Sequence, residues 1–163
     1  MSNTTARIAT GGGCPREAVV TVLPRDCYPG VYVAKVPTTV LLVEDEPDLV
    51  RVMTISLTRA GFDVLVCGTS ADAVEIIGTN QVDIMITDRG LPDADGADLV
   101  RQVRRDGFAG PVLIASGRSG AAHDEECLAA GADGVLSKPF RLADLVTRLH
   151  ALVPPEATCA TAP

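Results

Sequence analysis

Residues 40–50 read VLLVEDEPDLV, and this stretch decides the fold. Its first four residues are all Val or Leu, which is typical of a short strand buried on both faces of a sheet. The acidic pair Glu44 and Asp45 follows directly, and Pro47 suits the first turn of a helix. The stretch therefore predicts a buried strand, a charged turn and a helix in succession.

The same alternation of strand and helix patterns continues along the chain. Further strands are predicted at residues 62–67, 82–87, 111–116 and 134–137. Helices are predicted at residues 47–60, 71–77, 95–105 and 121–130, followed by a last helix with apolar residues at helical spacing between 142 and 153. Glycines at 61, 78 and 131 are expected to end three of these helices. Five strands alternating with five helices predict an α/β fold, a doubly wound parallel sheet of the flavodoxin type with strand order 2-1-3-4-5.

The residues on either side of this alternation lack a sustained period. Residues 1–37 hold a run of three glycines, scattered prolines and one isolated candidate strand at 18–23, and they are predicted to be a disordered N-terminal tail. Residues 154–163 are rich in Pro, Ala and Thr and are predicted to be a C-terminal tail. One domain is therefore expected, at residues 38–153, with no room for an output domain after it.

Composition and charge argue against several classes of protein. Hydrophobic residues make up 47% of the 163 residues, which is enough for a packed core, and the net charge of −7 argues against direct binding to nucleic acid. No apolar run approaches the roughly 20 residues of a membrane span, and the N-terminus lacks a secretory signal pattern. The five cysteines have wide spacings and no CxxC pair, which favours free thiols in a reducing cytoplasm.

Polar side chains follow the ends of four predicted strands. Glu44 and Asp45 come after the first strand, Asp88 after the third, Ser116 ends the fourth, and Lys138 follows the fifth. The carboxyl ends of parallel strands meet at one edge of the sheet, where such folds bind ligands. Three carboxylates gathered there repel each other unless a cation joins them, and an all-oxygen site suits Mg²⁺.

This arrangement favours phosphoryl transfer. Asp88 can act as a nucleophile toward phosphorus and form an acyl phosphate. Mg²⁺ and the Lys138 ammonium would neutralise charge on the phosphoryl oxygens, and the Ser116 hydroxyl would donate a hydrogen bond to one of them.

Four strings of residues closely resemble the response-regulator receiver domain of two-component signalling, in the same order and spacing. They are LLVEDEPDLV (41–50), IMITDRGLPDADG (84–96), PVLIASG (111–117) and GADGVLSKPF (131–140). Each string alone is a weak signal, whereas their combination at the strand ends is specific. The resemblance covers residues 38–153. It implies a single-domain, chemotaxis-regulator-like protein that accepts a phosphoryl group from a histidine kinase or phosphotransfer protein and acts by binding a downstream protein target.

The resemblance also implies roles for the acidic residues. Asp88 matches the phosphoacceptor. Glu44 and Asp45 match the acidic pair, in which Asp45 would bind Mg²⁺ directly and Glu44 through a metal-bound water. Gly90 would offer its backbone carbonyl to the metal. The domain would be no enzyme beyond its own phosphorylation and dephosphorylation.

The remaining implied roles concern the switch. Ser116 matches the hydroxyl residue that moves on phosphorylation, and Lys138 matches the lysine that pairs with the phosphoryl group, with a cis bond to Pro139. Val135 departs from the family, which usually has Tyr or Phe three residues before that lysine. Gly117 stands where Ala is commoner. Three further residues occupy variable positions that tune the lifetime of the phosphoryl group in the family: Arg89, Gly90 and Arg118.

Other interpretations stay open at this point. A haloacid-dehalogenase type of enzyme also uses an Asp nucleophile and Mg²⁺, but it would want a second Asp at the position of Gly90. A receiver-like interaction module that is never phosphorylated is a further alternative, which Val135 favours. Taken alone, Ser116 suits an ordinary strand-end hydroxyl. His123 and His150 are interpreted as surface residues, and residues 124–126 as a solvated helix face.

Overall fold

A computed structural model describes residues 5–8, 18–21, 37–118 and 120–152. The chain divides into two compact units, Met1–Lys35 and Val36–Pro163. In the first unit, strand β1 (Thr5–Ile8) pairs antiparallel with strand β2 (Ala18–Thr21). The candidate strand at 18–23 is therefore not isolated as the sequence suggested, since β1 supplies its partner. The disorder predicted for residues 1–37 stays a prediction, and the predicted tail at 154–163 lies outside the described residues.

Within residues 37–118 and 120–152 of the second unit, five strands and five helices alternate strictly. The strands are β3 (Thr39–Val43), β4 (Asp63–Cys67), β5 (Ile84–Asp88), β6 (Val112–Ser116) and β7 (Gly134–Ser137). The helices are α1 (Pro47–Arg59), α2 (Ser70–Thr79), α3 (Gly96–Arg105), α4 (Ala121–Ala129) and α5 (Leu142–Leu152). None of the helices in the described ranges is long and apolar enough to cross a membrane.

All five strands form one parallel sheet in the order β4-β3-β5-β6-β7. Counted from the first strand of this unit, that order is 2-1-3-4-5, as predicted. The strand order changes direction between β3 and β5, which lie side by side with Val43 opposite Thr87. Residues that follow these two strands therefore meet at the switch point of the sheet, where doubly wound folds bind ligands.

Alternate residues along the strands face two separate cores. Leu41 and Val43 belong to a cluster that packs against α2, α3 and α4. Val40 and Leu42 belong to a second cluster, formed with α1 and α5. Because both faces are covered by helices, the inner strands are almost entirely apolar, which explains the continuous hydrophobic runs in the sequence.

The structure differs from the sequence prediction by two residues at the start of β5, predicted at 82, and at the end of α2. Gly78 was expected to stop this helix, but α2 continues through it to Thr79. The helix ends instead where the Asn80 backbone extends, and the Asn80 side chain donates a hydrogen bond to the Ile76 carbonyl at 3.1 Å. Gly61 does follow α1, and its positive φ of 92° explains the choice of glycine there.

Gly96, the first residue of α3, packs directly against the backbone of the strand end. Its amide donates to the Arg89 carbonyl at 2.7 Å, and a Cβ at this position would overlap the Asp88 carbonyl oxygen. Because glycine has no side chain, α3 can begin in direct contact with the backbone at the end of β5. Glycine at 96 fixes the distance between the helix and the backbone of Asp88.

We predict that Gly96→Ala destabilises the domain, because either α3 or the Asp88 backbone must move to make room. The expected loss is ~1–3 kcal/mol of unfolding free energy, measured by urea denaturation. Gly78→Ala is the matched control, since it lies inside a helix with no atom within 4 Å of an added Cβ. That change should raise stability by ~0.4–1 kcal/mol. Equal responses of the two variants would contradict the close contact at Gly96.

Candidate functional site

The alternation of strand side chains brings three charged residues to the same face of the sheet. Leu42, Ile86 and Leu136 all belong to the core cluster beside α1 and α5. Glu44, Asp88 and Lys138 each come two residues after one of them, so their side chains lie on that same face. Because β3, β5, β6 and β7 are successive neighbours in the sheet, these three side chains meet where the strands end.

Three carboxylates meet at the ends of β3 and β5. One oxygen each from Glu44, Asp45 and Asp88 can be chosen so that all three lie within 4.8 Å of one another. Glu44 is only 4% exposed, whereas Asp45 is exposed and Asp88 lies between these extremes. Such an arrangement of hard oxygen donors, open to solvent on the side of Asp45, has the chemistry of a magnesium site that retains several waters.

Lys138 contacts two of these carboxylates, although it comes much later in the sequence. Its Nζ donates to Asp88 Oδ1 at 2.7 Å and to Glu44 Oε2 at 2.9 Å. Burial alone would lower the pKa of Lys138, but the hydrogen bonds to Asp88 and Glu44 outweigh it and the pKa is raised. The ammonium therefore stays charged and offsets part of the repulsion between the carboxylates.

The loop between β5 and α3 is held by its own acidic residues. The Gly90 amide donates to Asp88 Oδ2 at 2.9 Å, so both oxygens of Asp88 are engaged. Asp93 accepts from the Ser70 amide at 2.9 Å and the Ala71 amide at 3.1 Å, at the start of α2. A further hydrogen bond from the Ser70 hydroxyl, together with these amides, lowers the pKa of Asp93. The loop beside Asp88 is thereby tied to the N-terminus of a neighbouring helix.

Arg89 and Ser116 lie on the opposite face of the sheet, toward α4. Arg89 follows Asp88 by one residue, so its side chain points to the other face, where it donates to Glu126 Oε2 at 2.7 Å and to Cys127 Sγ at 3.2 Å. The hydrogen bond to Glu126 is the main reason that the pKa of Arg89 is raised, and the same contact lowers the pKa of Glu126. Ser116 follows Ile114 by two residues and shares the face of that core residue.

His123 joins these two residues and was not recognised from the sequence. Its Nε2 lies 2.7 Å from Ser116 Oγ, and its Nδ1 lies 3.0 Å from Arg89 Nη1. The interpretation of His123 as a surface residue is therefore wrong: the ring is half-buried and bonded on both sides. The interpretation of residues 124–126 as a solvated face also fails at Glu126, which pairs with Arg89, and at Asp124, whose Oδ1 is buried. His150 is exposed and stacks on Phe62.

The predicted site residues thus fall into two groups. Glu44, Asp45, Asp88 and Lys138 lie together, and the peptide bond from Lys138 to Pro139 is cis, as the resemblance implied. Ser116 is buried at the end of the neighbouring strand, where its hydroxyl contacts His123 and the Arg118 amide.

The comparison with known families agrees with this geometry. The sequence profile of the response regulator receiver domain matches residues 40–150. The chain belongs to the response-regulator receiver family. Its fold, with five parallel strands in the order found for chemotaxis-type receivers, is the family's fold. Receiver domains serve two-component signalling systems, and this chain is a signalling domain and not an ordinary enzyme.

Two transcriptional regulatory proteins named KdpE match this chain over about the length of the domain. The KDP operon transcriptional regulatory protein KdpE of Escherichia coli is 39% identical over 113 residues, which are 69% of this chain and 50% of that protein. The transcriptional regulatory protein KdpE of Mycobacterium tuberculosis is 35% identical over 116 residues, 71% of this chain and 51% of that protein. The chain therefore spans about half the length of the curated relatives that it matches.

Solved receiver structures superpose closely. The Francisella response regulator 1452 receiver domain is 28% identical with a TM-score of 0.68, covering 71% of this chain and 95% of that one. The Vibrio cholerae chemotaxis protein CheY4 is 25% identical with a TM-score of 0.69, covering 72% of this chain and 100% of that one.

We predict that Lys138→Gln destabilises the receiver domain, because the buried Glu44 carboxylate loses its cationic partner. The expected loss lies between the ~1 kcal/mol of an exposed ion pair and the ~3–5 kcal/mol of a fully buried one. The loss of unfolding free energy is measured by urea denaturation at pH 7 in the presence of a chelator. Arg101→Gln is the control, since Arg101 makes an exposed ion pair with Asp98.

The pH dependence provides a second check on the same ion pair. A raised Lys138 pKa means that the ion pairs contribute at neutral pH and are lost as the pH rises above the ordinary lysine value of ~10.4 and through the folded value. The difference between wild type and Lys138→Gln should therefore shrink at high pH. A loss no larger than that of Arg101→Gln would contradict the pairing.

Proposed function

We propose that residues 38–153 of this protein form a response-regulator domain that accepts a phosphoryl group on Asp88 from a histidine kinase or phosphotransfer protein. The observation that carries the proposal is the contact of Lys138 with both Asp88 and Glu44, beside the exposed carboxylate of Asp45. A lone strand-end aspartate explains neither the lysine nor the other two carboxylates. All four residues are those that the receiver resemblance assigns to phosphorylation.

Asp88 is the nucleophile in this proposal. One of its carboxylate oxygens forms a bond to phosphorus while the bond from phosphorus to the donor's histidine nitrogen breaks, and the nitrogen keeps the electron pair. The product is an acyl phosphate on Asp88. Lys138 already lies 2.7 Å from Asp88 Oδ1, so its ammonium is positioned to pair with a phosphoryl group on this side chain.

The acidic cluster suits a magnesium ion. The donor set is all carboxylate oxygen, the three oxygens lie within 4.8 Å of each other, and the site is open to water at Asp45. Bound Mg²⁺ would supply the positive charge that lets an anionic phosphoryl group approach three carboxylates. Asp45 and Asp88 would hold the ion directly, Gly90 would offer its carbonyl, and Glu44 would act through a bound water.

Glu44 is held away from direct coordination by its own contacts. Its Oε2 accepts from Lys138 and its Oε1 accepts from the Glu46 amide at 3.3 Å. Among the described residues, no hydrogen bond or ion pair engages the side chain of Asp45. Asp45 is therefore the freer of the two acidic residues to bind a cation.

Signalling in this proposal consists of altered binding to a downstream protein in the cytoplasm. The domain occupies residues 38–153, with tails at 1–37 and 154–163, and it binds no nucleic acid or membrane directly. The matched residues make up about half of relatives that are named as transcriptional regulators, so a role for this domain beside further domains is an outcome to test. Ser116 would turn its hydroxyl toward the phosphoryl group. The alternative is a receiver that is never phosphorylated, and Val135 in place of an aromatic residue favours it.

We predict that incubation with acetyl phosphate and Mg²⁺ raises the intact mass by one phosphoryl group. Asp88→Asn should abolish the increase, because an amide is a poor nucleophile toward phosphorus. Asp98→Asn, which changes an exposed carboxylate on α3, should behave as wild type. No mass increase in the wild type, or uptake by Asp88→Asn in an acid-stable form, would refute the assignment.

We further predict that Asp45→Ala weakens Mg²⁺ binding more than Glu44→Ala does, because Glu44 already has two partners. A tenfold difference in the dissociation constant corresponds to ~1.4 kcal/mol and is readily resolved by titration with Mg²⁺. Asp98→Asn again serves as the control. Equal losses in the two variants would contradict the separate roles given to Glu44 and Asp45.

A further inference from the structure

The Ser116 hydroxyl has two hydrogen-bond partners on the side of α4. Its oxygen accepts from the Arg118 amide at 3.1 Å and lies 2.7 Å from His123 Nε2. Ser116 is 2% exposed, so water does not readily replace these partners. Neither partner belongs to the acidic cluster, and no hydrogen bond joins the Ser116 side chain to Asp88 or Lys138 in the described part of the chain.

Arg89 and Ser116 both contact the His123 ring. Arg89 Nη1 lies 3.0 Å from Nδ1 and 3.3 Å from Nε2, so the guanidinium singles out neither nitrogen as its partner. Nε2 also lies 2.7 Å from Ser116 Oγ, so the ring and the hydroxyl share one hydrogen bond. This hydrogen bond and the one from the Arg118 amide hold the Ser116 hydroxyl on the α4 side.

The α4 helix, like α2, buries only one of its residues, and polar contacts help to hold it. Cys127 is the one buried residue within α4, whereas α3 buries five residues in a helix of similar length. Arg89 compensates by reaching from the strand end to His123, Cys127 and Glu126. An element with few buried apolar contacts is easily displaced, so a change at His123 has leverage on the position of α4.

We propose that His123 is a positioning residue that holds the Ser116 hydroxyl on the α4 side in the unphosphorylated protein, and that breaking this hydrogen bond transmits phosphorylation of Asp88 to α4. The inference rests on the proposed function, because it needs a phosphoryl group to compete for Ser116. Ser116 cannot keep both partners: it shares the sheet face of Ile114, whereas Asp88 and Lys138 lie on the opposite face. The His123 hydrogen bond therefore stabilises the inactive arrangement, and its loss frees the ring, Arg89 and Glu126 to rearrange.

The competition is tested with beryllofluoride, an analogue of the phosphoryl group, titrated into the full chain with Mg²⁺. His123→Leu removes the hydrogen bond while keeping an apolar side chain of moderate size. Its apparent affinity for beryllofluoride should be about two- to tenfold higher than that of wild type, the value of one net hydrogen bond. His150→Leu is the matched control and should leave the affinity unchanged. Equal or weaker binding by His123→Leu overturns the proposal.

A double-mutant cycle separates positioning from a merely structural role. In a Ser116→Ala background there is no hydroxyl to hold, so adding His123→Leu should leave the beryllofluoride affinity unchanged. An equal gain in both backgrounds would show that His123 acts through packing and not through Ser116, which overturns the proposal.

A third test uses the wild-type protein and therefore does not depend on whether a variant folds. The ring nitrogens of His123 should change their ¹⁵N chemical shifts when beryllofluoride is added, and those of His150 should not. Beryllofluoride binding without any change at His123 overturns the positioning role but leaves phosphorylation of Asp88 standing. Failure of the wild type to bind beryllofluoride at all overturns the proposed function, and the inference with it.

Discussion

The mutual repulsion of three carboxylates is the constraint on which the site depends. Glu44, Asp45 and Asp88 are forced together because β3 and β5 are neighbours in a parallel sheet and both end at the same edge. Lys138 offsets part of that repulsion, and it lies 94 residues from Glu44 in the sequence. The ion pair therefore exists only when β7 has joined the sheet through β6. The charge that would serve phosphoryl transfer in the proposed function is thus also a charge that the completed fold must hold in place.

The pleat of the strands divides the polar residues at this edge into two sets with different surroundings. Asp88 and Arg89 are adjacent in sequence, yet Asp88 contacts Lys138 and Arg89 contacts α4. A single residue step therefore separates the acidic cluster from a polar contact with a weakly anchored helix. The same division holds at β6, where Ser116 faces α4 although it ends a strand beside that of Asp88. Any signal from Asp88 to α4 must cross the sheet, and the strand ends are where side chains are free to do so.

Much of the fold and of the acidic cluster could be predicted from the sequence because both follow from periodicity. Buried runs of Val, Leu and Ile predicted the strands, and acidic or basic residues directly after them predicted the group of carboxylates with its lysine. The errors have physical causes. Gly78 did not stop α2, since a glycine inside an exposed helix costs only ~1 kcal/mol and Asn80 ends the helix just as well. The partner of the 18–23 segment was missed because two four-residue strands carry too short a period to detect.

His123 could not be found by the same reasoning, because a single histidine on a short helix carries no pattern. What the sequence did contain was the alternation of faces: Arg89 and Ser116 both occupy positions whose side chains face α3 and α4. If the alternation is applied to the polar residues as well as to the apolar ones, it predicts that the side chains of Arg89 and Ser116 both face α4. The first polar ring on that helix is His123. The α4 helix buries so little apolar surface that polar contacts from the strand ends must help to hold it. In the proposed mechanism, the residues that anchor α4 are therefore also the residues through which phosphorylation of Asp88 would release it.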